Sequence, residues 1–342
     1  MSLTFQDLVI IQLSDQERDS QTITLENVGK AISAMHRDGI VVLENAVNPD
    51  HIDTLNSVLS ADAEILAKLP TTHFNNTEDY GDLPCGNMTQ GPSLDPELMF
   101  ADVWANGPAA AVLNSMLGPK PCVNYANGNT AVGGFTGGRQ RVHADITFNH
   151  SMFPTAIVTN YYLIDTSPAN GSTELWIGSH RDTTFADQRN CRDTPSPPGE
   201  VEFGIRKELV EARRAFAPPI QPTVKRGSVV LRDLRLWHAG RSNPSPDPRI
   251  MLAFVHTPAW YNCPARIELP EAARPLVEQW ARQEHPVQYM AEFFSSTLDQ
   301  KTIKFNPDFS STNKGYLSLL PDLPAGFIYN ADTVSNIKIN YR

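Results

Sequence analysis

The sequence predicts a mainly β fold, an antiparallel barrel or sandwich, with helices flanking it. Beyond Lys120, short β-branched and aromatic segments alternate with loops rich in Gly, Asn, Pro and Ser; examples are TAIVTNYYLID, GSVVLRD and RIMLAFVH. This alternation is typical of antiparallel sheets. Before Lys120, apolar residues recur mostly at helical spacing. We therefore expect a β core preceded by a helix-rich part.

Three helices are predicted in the first part of the chain. Residues 26–37 (ENVGKAISAMHR) carry a helical pattern that Asp38-Gly39 interrupts before the apolar strand IVVLENAV. A second helix starts at Asn48-Pro49-Asp50, where a capping residue precedes a proline suited to the first helical turn. Residues 101–118 predict a third helix that ends at a glycine.

The domain organisation we expect is one domain over residues 1–342. It comprises a helix-rich part (1–120), a barrel core (121–262) and a C-terminal extension (263–342). Residues 181–225 are polar and proline-rich around the helix-like piece RKELVEARRAF, which is typical of a lid or binding loop. The extension matches no motif, and it either covers the barrel mouth or builds a homodimer contact.

Composition excludes several classes of function. The formal charge of −10 arises from 38 acidic against 28 basic residues, without a basic block, and this disfavours nucleic-acid binding. No apolar run approaches the roughly 20 residues of a membrane span, and the first residues do not resemble a signal peptide. The four scattered cysteines lack a CxxC pair. We expect a cytoplasmic protein that binds a small molecule and neither membrane nor nucleic acid.

One short motif carries the chemistry. In QRVHAD, His143 and Asp145 are two positions apart, so on a strand both side chains project from the same face. His238 in LRLWHAG lies far enough along the chain for strands to return it across a barrel. Two imidazoles and one carboxylate on one face of an octahedron leave open positions that suit iron(II) and oxidative chemistry. The three residues are therefore the candidate metal ligands and catalytic centre, and a hydrogen-bonded structural histidine on a strand is the alternative interpretation of the HxD pair taken alone.

Arg249 is the predicted anchor for an acidic co-substrate. It opens the strand RIMLAFVH after the turn-forming loop RSNPSPDP, which would fold that strand back beside His238. A guanidinium there can bind a carboxylate through paired charge-assisted hydrogen bonds. Arg241 competes for this role, and a plain surface arginine after a turn is the alternative interpretation of Arg249.

Four stretches in order give the chain a specific resemblance. They are DGIVVLENAVNPDHIDTLNSVL, QRVHAD, NGSTELWIGSHR and GSVVLRDLRLWHAG through to Arg249. The chain resembles the phytanoyl-CoA hydroxylase-like family of iron(II)/2-oxoglutarate dioxygenases. The resemblance implies a double-stranded β-helix (jelly-roll, cupin-like) barrel, iron(II) at His143, Asp145 and His238, and the C5 carboxylate of 2-oxoglutarate at Arg249.

Two more co-substrate contacts follow from the resemblance, which implies that Gln140 and Thr173 help to hold 2-oxoglutarate. The family often has a proline before GSH where this chain has Ile177, a departure expected to alter that turn and to leave the metal site unchanged. His180 is expected to make a structural hydrogen bond, because the family does not use it as a ligand.

The implied reaction consumes O₂ and 2-oxoglutarate and oxidises an unactivated C–H bond. Hydroxylation, desaturation and ring formation share the first hydrogen abstraction. Asp145 argues against halogenation, because related halogenases have a small residue there. The loops AVGGFTGG and ITFNHSMF favour a largely apolar natural-product intermediate, with Phe135, Phe148 and Met152 as candidate pocket residues. An acyl-CoA hydroxylase of the same family, a cupin-type metalloprotein that does not use 2-oxoglutarate and a non-catalytic homologue remain alternatives.

Overall fold

The computed structural model describes residues 8–75, 84–145, 156–181, 183, 187, 204–261, 265–295, 299 and 301. Its helices are α1 (Asp15–Ser20), α2 (Leu25–Asp38), α3 (Pro49–Leu66), α4 (Ala101–Trp104), α5 (Gly107–Leu117), α6 (Lys207–Phe216) and α7 (Arg274–Trp280). Its first six strands are β1 (Ile10–Gln12), β2 (Ile40–Glu44), β3 (Asn87–Thr89), β4 (Cys122–Ala131), β5 (Ile157–Tyr162) and β6 (Glu174–Leu175). The other six are β7 (Val229–Asp233), β8 (His238–Ala239), β9 (Arg249–Thr257), β10 (Ile267–Pro270), β11 (Gln288–Tyr289) and β12 (Ala291–Phe294).

The main sheet has eight strands in the order β1-β2-β7-β5-β9-β4-β11, with β3 paired to β4. Its centre is antiparallel, and only the short edge strands β1 and β11 pair in parallel. The prediction of a mainly β fold with flanking helices is confirmed. Strands β1, β2 and β11 come from outside the predicted barrel core and extend the same sheet.

A smaller layer faces the main sheet. Strands β6 and β8 pair in antiparallel fashion, and single bridges extend them on both sides, from His143 to His238 and from Leu175 to Ile220. The side chains that the sequence analysis assigned to the metal belong to this layer.

The largest apolar core lies on the other face of the main sheet. There Leu231, Phe254 and Leu252 are fully buried in one cluster with residues of α2, α3 and α5, including Met35, Leu55 and Leu113. Helices α2 and α3 form where the sequence predicts them, each with a side-chain cap: Thr24 accepts a hydrogen bond from the backbone of Asn27, and Asn48 from that of Asp50. The helices therefore brace one face of the sheet and leave the other to the smaller layer.

The predicted helix over 101–118 is two helices. α4 ends at Trp104, and α5 begins afresh with Asn106 as its N-cap and Pro108 in its first turn. The prediction was wrong here because the alanine-rich run favours a helix on both sides, whereas Asn-Gly-Pro supplies a new cap and a residue without an N–H. Helix α6 forms within the RKELVEARRAF piece, as predicted. No helix in the described ranges is long and apolar enough to cross a membrane.

Candidate metal centre

His143 and His238 are held side by side by their backbones. Each donates its N–H to the carbonyl of the other, with His143 N to His238 O at 3.0 Å and His238 N to His143 O at 2.9 Å. Directly paired residues of antiparallel segments point to the same face, which brings the ring centroids to 4.2 Å. The smaller layer therefore positions both imidazoles.

Asp145 completes the cluster from just beyond this pair. Its backbone N–H donates to Leu234 O at 2.9 Å, which fixes the chain after the bridge. Asp145 Oδ1 lies 3.5 Å from His143 Nε2 and 3.4 Å from His238 Nε2. All three ligand atoms lie within 4.8 Å of one another, close enough to share one ion. The structure thus brings together the three residues that the sequence analysis selected.

Hydrogen bonds on the far side of each ring fix the imidazole tautomers. His143 Nδ1 lies 2.8 Å from Arg141 O, and His238 Nδ1 lies 3.0 Å from Leu236 O. A carbonyl can only accept, so each Nδ1 carries a proton and each Nε2, on the side of Asp145, is the atom left to bind an ion. Burial, with Arg232 nearby, lowers the pKa of His238 to about 4, so this ring is neutral near pH 7. Neutral imidazole is the form that binds metals.

Arg232 is a residue of the site that the sequence analysis missed. Its Nη2 donates to Asp145 Oδ2 at 2.7 Å, and its Nη1 lies 3.3 Å from His238 Nδ1. Burial raises the pKa of Asp145, but His238 and Arg232 outweigh burial and hold that pKa well below its ordinary value. The available signal was a charged residue inside the apolar strand GSVVLRD, which is buried along its whole length.

The sheet register shows which other side chains face the metal cluster. Arg232 pairs with Val158, Val158 with Val255, and Val255 with Tyr125, so the four side chains share one face of the main sheet. Burial raises the pKa of Tyr125 to about 12, and the charge of Asp145 adds to the rise. Tyr125 is therefore a protonated phenol beside the cluster, and the sequence analysis did not select it.

Arg249 lies on the same face of the main sheet and is 1% exposed. Its Nη1 and Nη2 donate to Asn129 O and Gly171 O, both at 3.0 Å, and its guanidinium carbon lies 5.9 Å from the ring centroid of Tyr162. Its buried Nε has no hydrogen-bond partner among the described residues. Burial lowers the pKa of Arg249. A buried cation whose contacts in the described part of the chain are two carbonyls and a ring fits an anionic ligand.

Thr173 and Gln140 lie in different surroundings. Thr173 is buried, with its Oγ1 3.5 Å from the hydroxyl of Tyr162, so it belongs to the surroundings of Arg249. Gln140 Oε1 accepts the N–H of Gly240 at 2.8 Å, and a side chain at Gly240 would meet this oxygen at 2.6 Å. Gln140 therefore ties the first ligand segment to the residues after His238.

The remaining candidates are placed as follows. Phe135 lies in the loop after β4, where it is half-buried and packs against Gly86. Phe148 and Met152 lie outside the described residues. Arg241, the rival of Arg249, forms an ion pair with the buried Glu174 at 3.3 Å. His180 is buried, with Nε2 3.2 Å from His36 O.

Comparison with known proteins matches this chain to one family. The family model described as Phytanoyl-CoA dioxygenase (PhyH) matches residues 35–251, more than half of the chain. The match includes every residue of the metal cluster as well as Arg232 and Arg249.

Several solved structures have a fold similar to that of this chain. The epimerase SnoN, crystallised with Fe³⁺, alpha-ketoglutarate and nogalamycin RO, is 15% identical, with a TM-score of 0.51 over 81% of this chain and 98% of that one. EctD from S. alaskensis, with 2-oxoglutarate and 5-hydroxyectoine, is 20% identical, with a TM-score of 0.49 over 69% and 76%. The carbocyclase SnoK from nogalamycin biosynthesis is 15% identical, with a TM-score of 0.48 over 70% and 86%. At these identities the likeness concerns the fold.

Proposed function

The chain belongs to the phytanoyl-CoA dioxygenase (PhyH) family of iron- and 2-oxoglutarate-dependent oxygenases, and from this premise we propose that it oxidises an unactivated C–H bond of a small organic substrate. The observation that carries the proposal is the pairing of two features on facing layers. One is the His143, Asp145 and His238 cluster, and the other is the buried Arg249.

The donor set of the cluster fits iron(II). Two imidazole Nε2 atoms and one carboxylate oxygen form the two-histidine, one-carboxylate set that leaves positions open for a bidentate ligand and O₂. The Nδ1 hydrogen bonds to Arg141 O and Leu236 O keep both lone pairs directed at the ion. Asp145 occupies the position that a halide would need, so we propose oxidation and not halogenation.

Arg249 fits the far carboxylate of 2-oxoglutarate. Within the residues that the structure describes, its Nε has no hydrogen-bond partner and its acceptors include no carboxylate. Arg249 also shares the face of the main sheet with Arg232, beside the metal ligands. We propose that Thr173 lies beside this carboxylate, because its hydroxyl is next to that of Tyr162, a neighbour of Arg249. We propose that Gln140 has a supporting role and holds the first ligand segment.

The chemistry divides between the bound groups and the protein. When bound, iron(II) and 2-oxoglutarate supply the oxidising power, consuming O₂ and forming succinate and carbon dioxide as hydrogen is removed from a substrate carbon. The residues of this chain bind, orient and exclude water. Hydroxylation is the product type we favour, with desaturation or ring formation sharing the same first step.

The finer architecture and the substrate are part of the proposal. Two facing layers, with metal ligands on the smaller and Arg232 and Arg249 on the larger, support a double-stranded β-helix. Val158, Val255 and Ala253 on the site-facing side of the main sheet support a substrate with a substantial apolar part. The net charge of −10 disfavours a polyanionic acyl-CoA.

The cellular location and the assembly that we propose for the protein are those expected from its sequence. The four cysteines are scattered along the chain without a CxxC pair, which supports the proposed reducing cytoplasm. Among the residues after 262, β11 pairs with β4 and β10 with β12. We propose that this extension either covers the barrel mouth or builds a homodimer contact.

Iron content tests the proposed site. His143→Ala and Asp145→Ala should each lose stoichiometric iron(II), because two protein ligands cannot replace three. His256→Gln, which removes a buried histidine of strand β9 outside the cluster, should keep its iron. Wild-type iron content in both Ala variants would refute the assignment. Substrate-dependent succinate release then identifies the substrate class.

A further inference from the structure

The family assignment gives no role to Arg232. It lies in the middle of the main sheet, 6% exposed, and its charge reaches the metal cluster from the opposite layer. We infer that Arg232 is a positioning residue that restricts Asp145 to one-oxygen metal binding and so keeps a coordination position open for the co-substrate. The inference rests on the proposed function of the site.

The two oxygens of Asp145 have different neighbours. Oδ1 is the oxygen between the two Nε2 atoms, at 3.5 Å from His143 and 3.4 Å from His238. Oδ2 accepts from Arg232 at 2.7 Å, the length of a strong charge-assisted hydrogen bond. Turning Oδ2 toward the ion would strain or break this hydrogen bond, so Arg232 opposes binding through both oxygens. Asp145 therefore has one oxygen for the metal and one for the arginine.

Among the described residues, Arg232 has no comparable alternative partner. The adjacent carboxylate of Asp233 is bound by Arg235, which donates from Nε at 3.0 Å and from Nη2 at 2.7 Å. Arg232 Nη1 lies 3.3 Å from His238 Nδ1, which directs its own proton to Leu236 O. The hydrogen bond to Asp145 is thus the strong contact that orients this guanidinium.

The backbone of Arg232 is fixed on both sides. It pairs with Ile40 of β2 and with Val158 of β5, in the interior of the sheet. A strand paired on both edges cannot shift without breaking two ladders, and planar Arg loses little freedom per hydrogen bond. The main sheet thereby sets the orientation of a carboxylate that belongs to the smaller layer.

The consequence concerns coordination number and charge. Three protein atoms leave three octahedral positions, the number that a bidentate 2-oxo acid and O₂ require. A carboxylate that binds through both oxygens would occupy one of them. A cation next to Oδ2 also makes Asp145 a weaker donor. Without Arg232, we expect Asp145 to hold the metal as tightly or more tightly and to compete with the co-substrate.

The test uses three variants of the full chain under anaerobic conditions. Arg232→Met has similar length and no donor, and Arg232→Lys retains a charge. Arg235→Met is the matched control, because it removes another buried arginine from a buried carboxylate that is not a metal ligand. Calorimetric titration gives the affinities for iron(II) and then for 2-oxoglutarate. Infrared difference spectra of metal binding report the splitting of the carboxylate stretches, which is wide for one-oxygen and narrow for two-oxygen binding.

We expect Arg232→Met to bind iron(II) at least as tightly as the wild type, to bind 2-oxoglutarate about tenfold more weakly and to show the narrow splitting. Arg232→Lys should recover part of the 2-oxoglutarate affinity, and Arg235→Met should match the wild type in both affinities. Unchanged 2-oxoglutarate affinity in Arg232→Met, or a parallel loss of both ligands in Arg232→Met and Arg235→Met, would overturn the inference. A wild type that binds iron(II) but not 2-oxoglutarate, or neither, overturns the proposed function itself.

Discussion

The co-substrate assignment depends on Arg249, whose guanidinium is fully buried. Arg249 has lost its water and contacts two carbonyls and the face of Tyr162, so its charge is incompletely compensated by the described residues. Burying an uncompensated charge is costly, and a dicarboxylate would supply the missing partner. The residue thus contributes more to ligand binding than to packing.

Arg249→Lys should weaken 2-oxoglutarate binding by about ten- to a hundredfold, because a charged hydrogen bond contributes roughly 1.5–3 kcal/mol and lysine cannot form the paired contact. Iron(II) binding should be unchanged, since Arg249 contacts none of the three ligands. Anaerobic titration with each ligand separates the two effects.

Arg241→Lys is the control for that titration. Arg241 is the arginine that the sequence analysis weighed against Arg249, and it already has Glu174 as its partner. We expect near wild-type 2-oxoglutarate affinity in this variant. If Arg241→Lys loses the affinity and Arg249→Lys keeps it, the anchor has been assigned to the wrong arginine.

The sequence predicted the metal cluster better than its surroundings. His143 and Asp145 are two positions apart, a spacing that indicates a shared face in an extended segment. His238 and Arg249 were predicted from the expected return of their strands together with the resemblance. Arg232 could not be found this way. Strand β7 is buried on both faces, so its pattern has no polar alternation to show which side a given residue faces. Only the three-dimensional register shows Arg232 beside Asp145.

At the scale of elements, the end of helix α2 connects several parts of the molecule. Gly39 has a φ of +78° as the C-cap of α2, and its carbonyl accepts the N–H of Asp233 at the end of β7. A Cβ on Gly39 would lie 2.4 Å from Nδ1 of His180. The glycine is therefore required both by its backbone conformation and by the packing of a buried imidazole.

Gly39→Ala should lower the free energy of unfolding by at least roughly 1–2 kcal/mol, the cost of the left-handed conformation alone, with the His180 clash added. Urea denaturation measures the change. Gly29→Ala is the matched control within α2, because nothing lies within 4 Å of its added Cβ. We expect Gly29→Ala to gain up to about 1 kcal/mol. Equal effects of the two substitutions would contradict this account of Gly39.

Elements were predictable where their signals are local. The end of α2 is visible as Asp38-Gly39 and the start of α3 as Asn48-Pro49. Strands β1 and β11 were not predicted, because they have three and two residues and pair in parallel with distant strands. A segment so short carries no period, and its pairing is decided by tertiary contacts.

At the scale of the whole molecule, the site requires both layers, because each layer supplies a different part of it. The smaller layer carries His143 and His238, and the main sheet carries Arg232 and Arg249. Neither layer alone brings the metal ligands together with the two cations. Stability of the sheet pairing is therefore a condition of binding.

Buried histidine in the sheet makes this stability depend on pH. Burial lowers the pKa of His256 in β9 from 6.5 to about 4. The unfolded chain binds a proton at this residue between those values and the folded chain does not. The contribution of His256 to the free energy of unfolding should therefore be constant above about pH 6.5 and fall as the pH drops toward 4, by up to about 1.4 kcal/mol per pH unit.

Urea denaturation of the metal-free protein at several pH values measures this dependence. His256→Gln removes the titrating group, so its stability should change less between pH 6.5 and pH 4 than that of the wild type. Parallel curves for the two proteins would show that His256 does not contribute to the acid sensitivity.

The central claim is that one site binds iron(II) and 2-oxoglutarate together. Its most direct test is an anaerobic titration of the metal-free protein with iron(II) and then 2-oxoglutarate, followed by visible absorption. We expect a weak charge-transfer band that appears only when both are present, saturates at one equivalent of iron and is absent in Asp145→Ala. Iron binding without that band would contradict the claim and favour a metalloprotein that does not use 2-oxoglutarate.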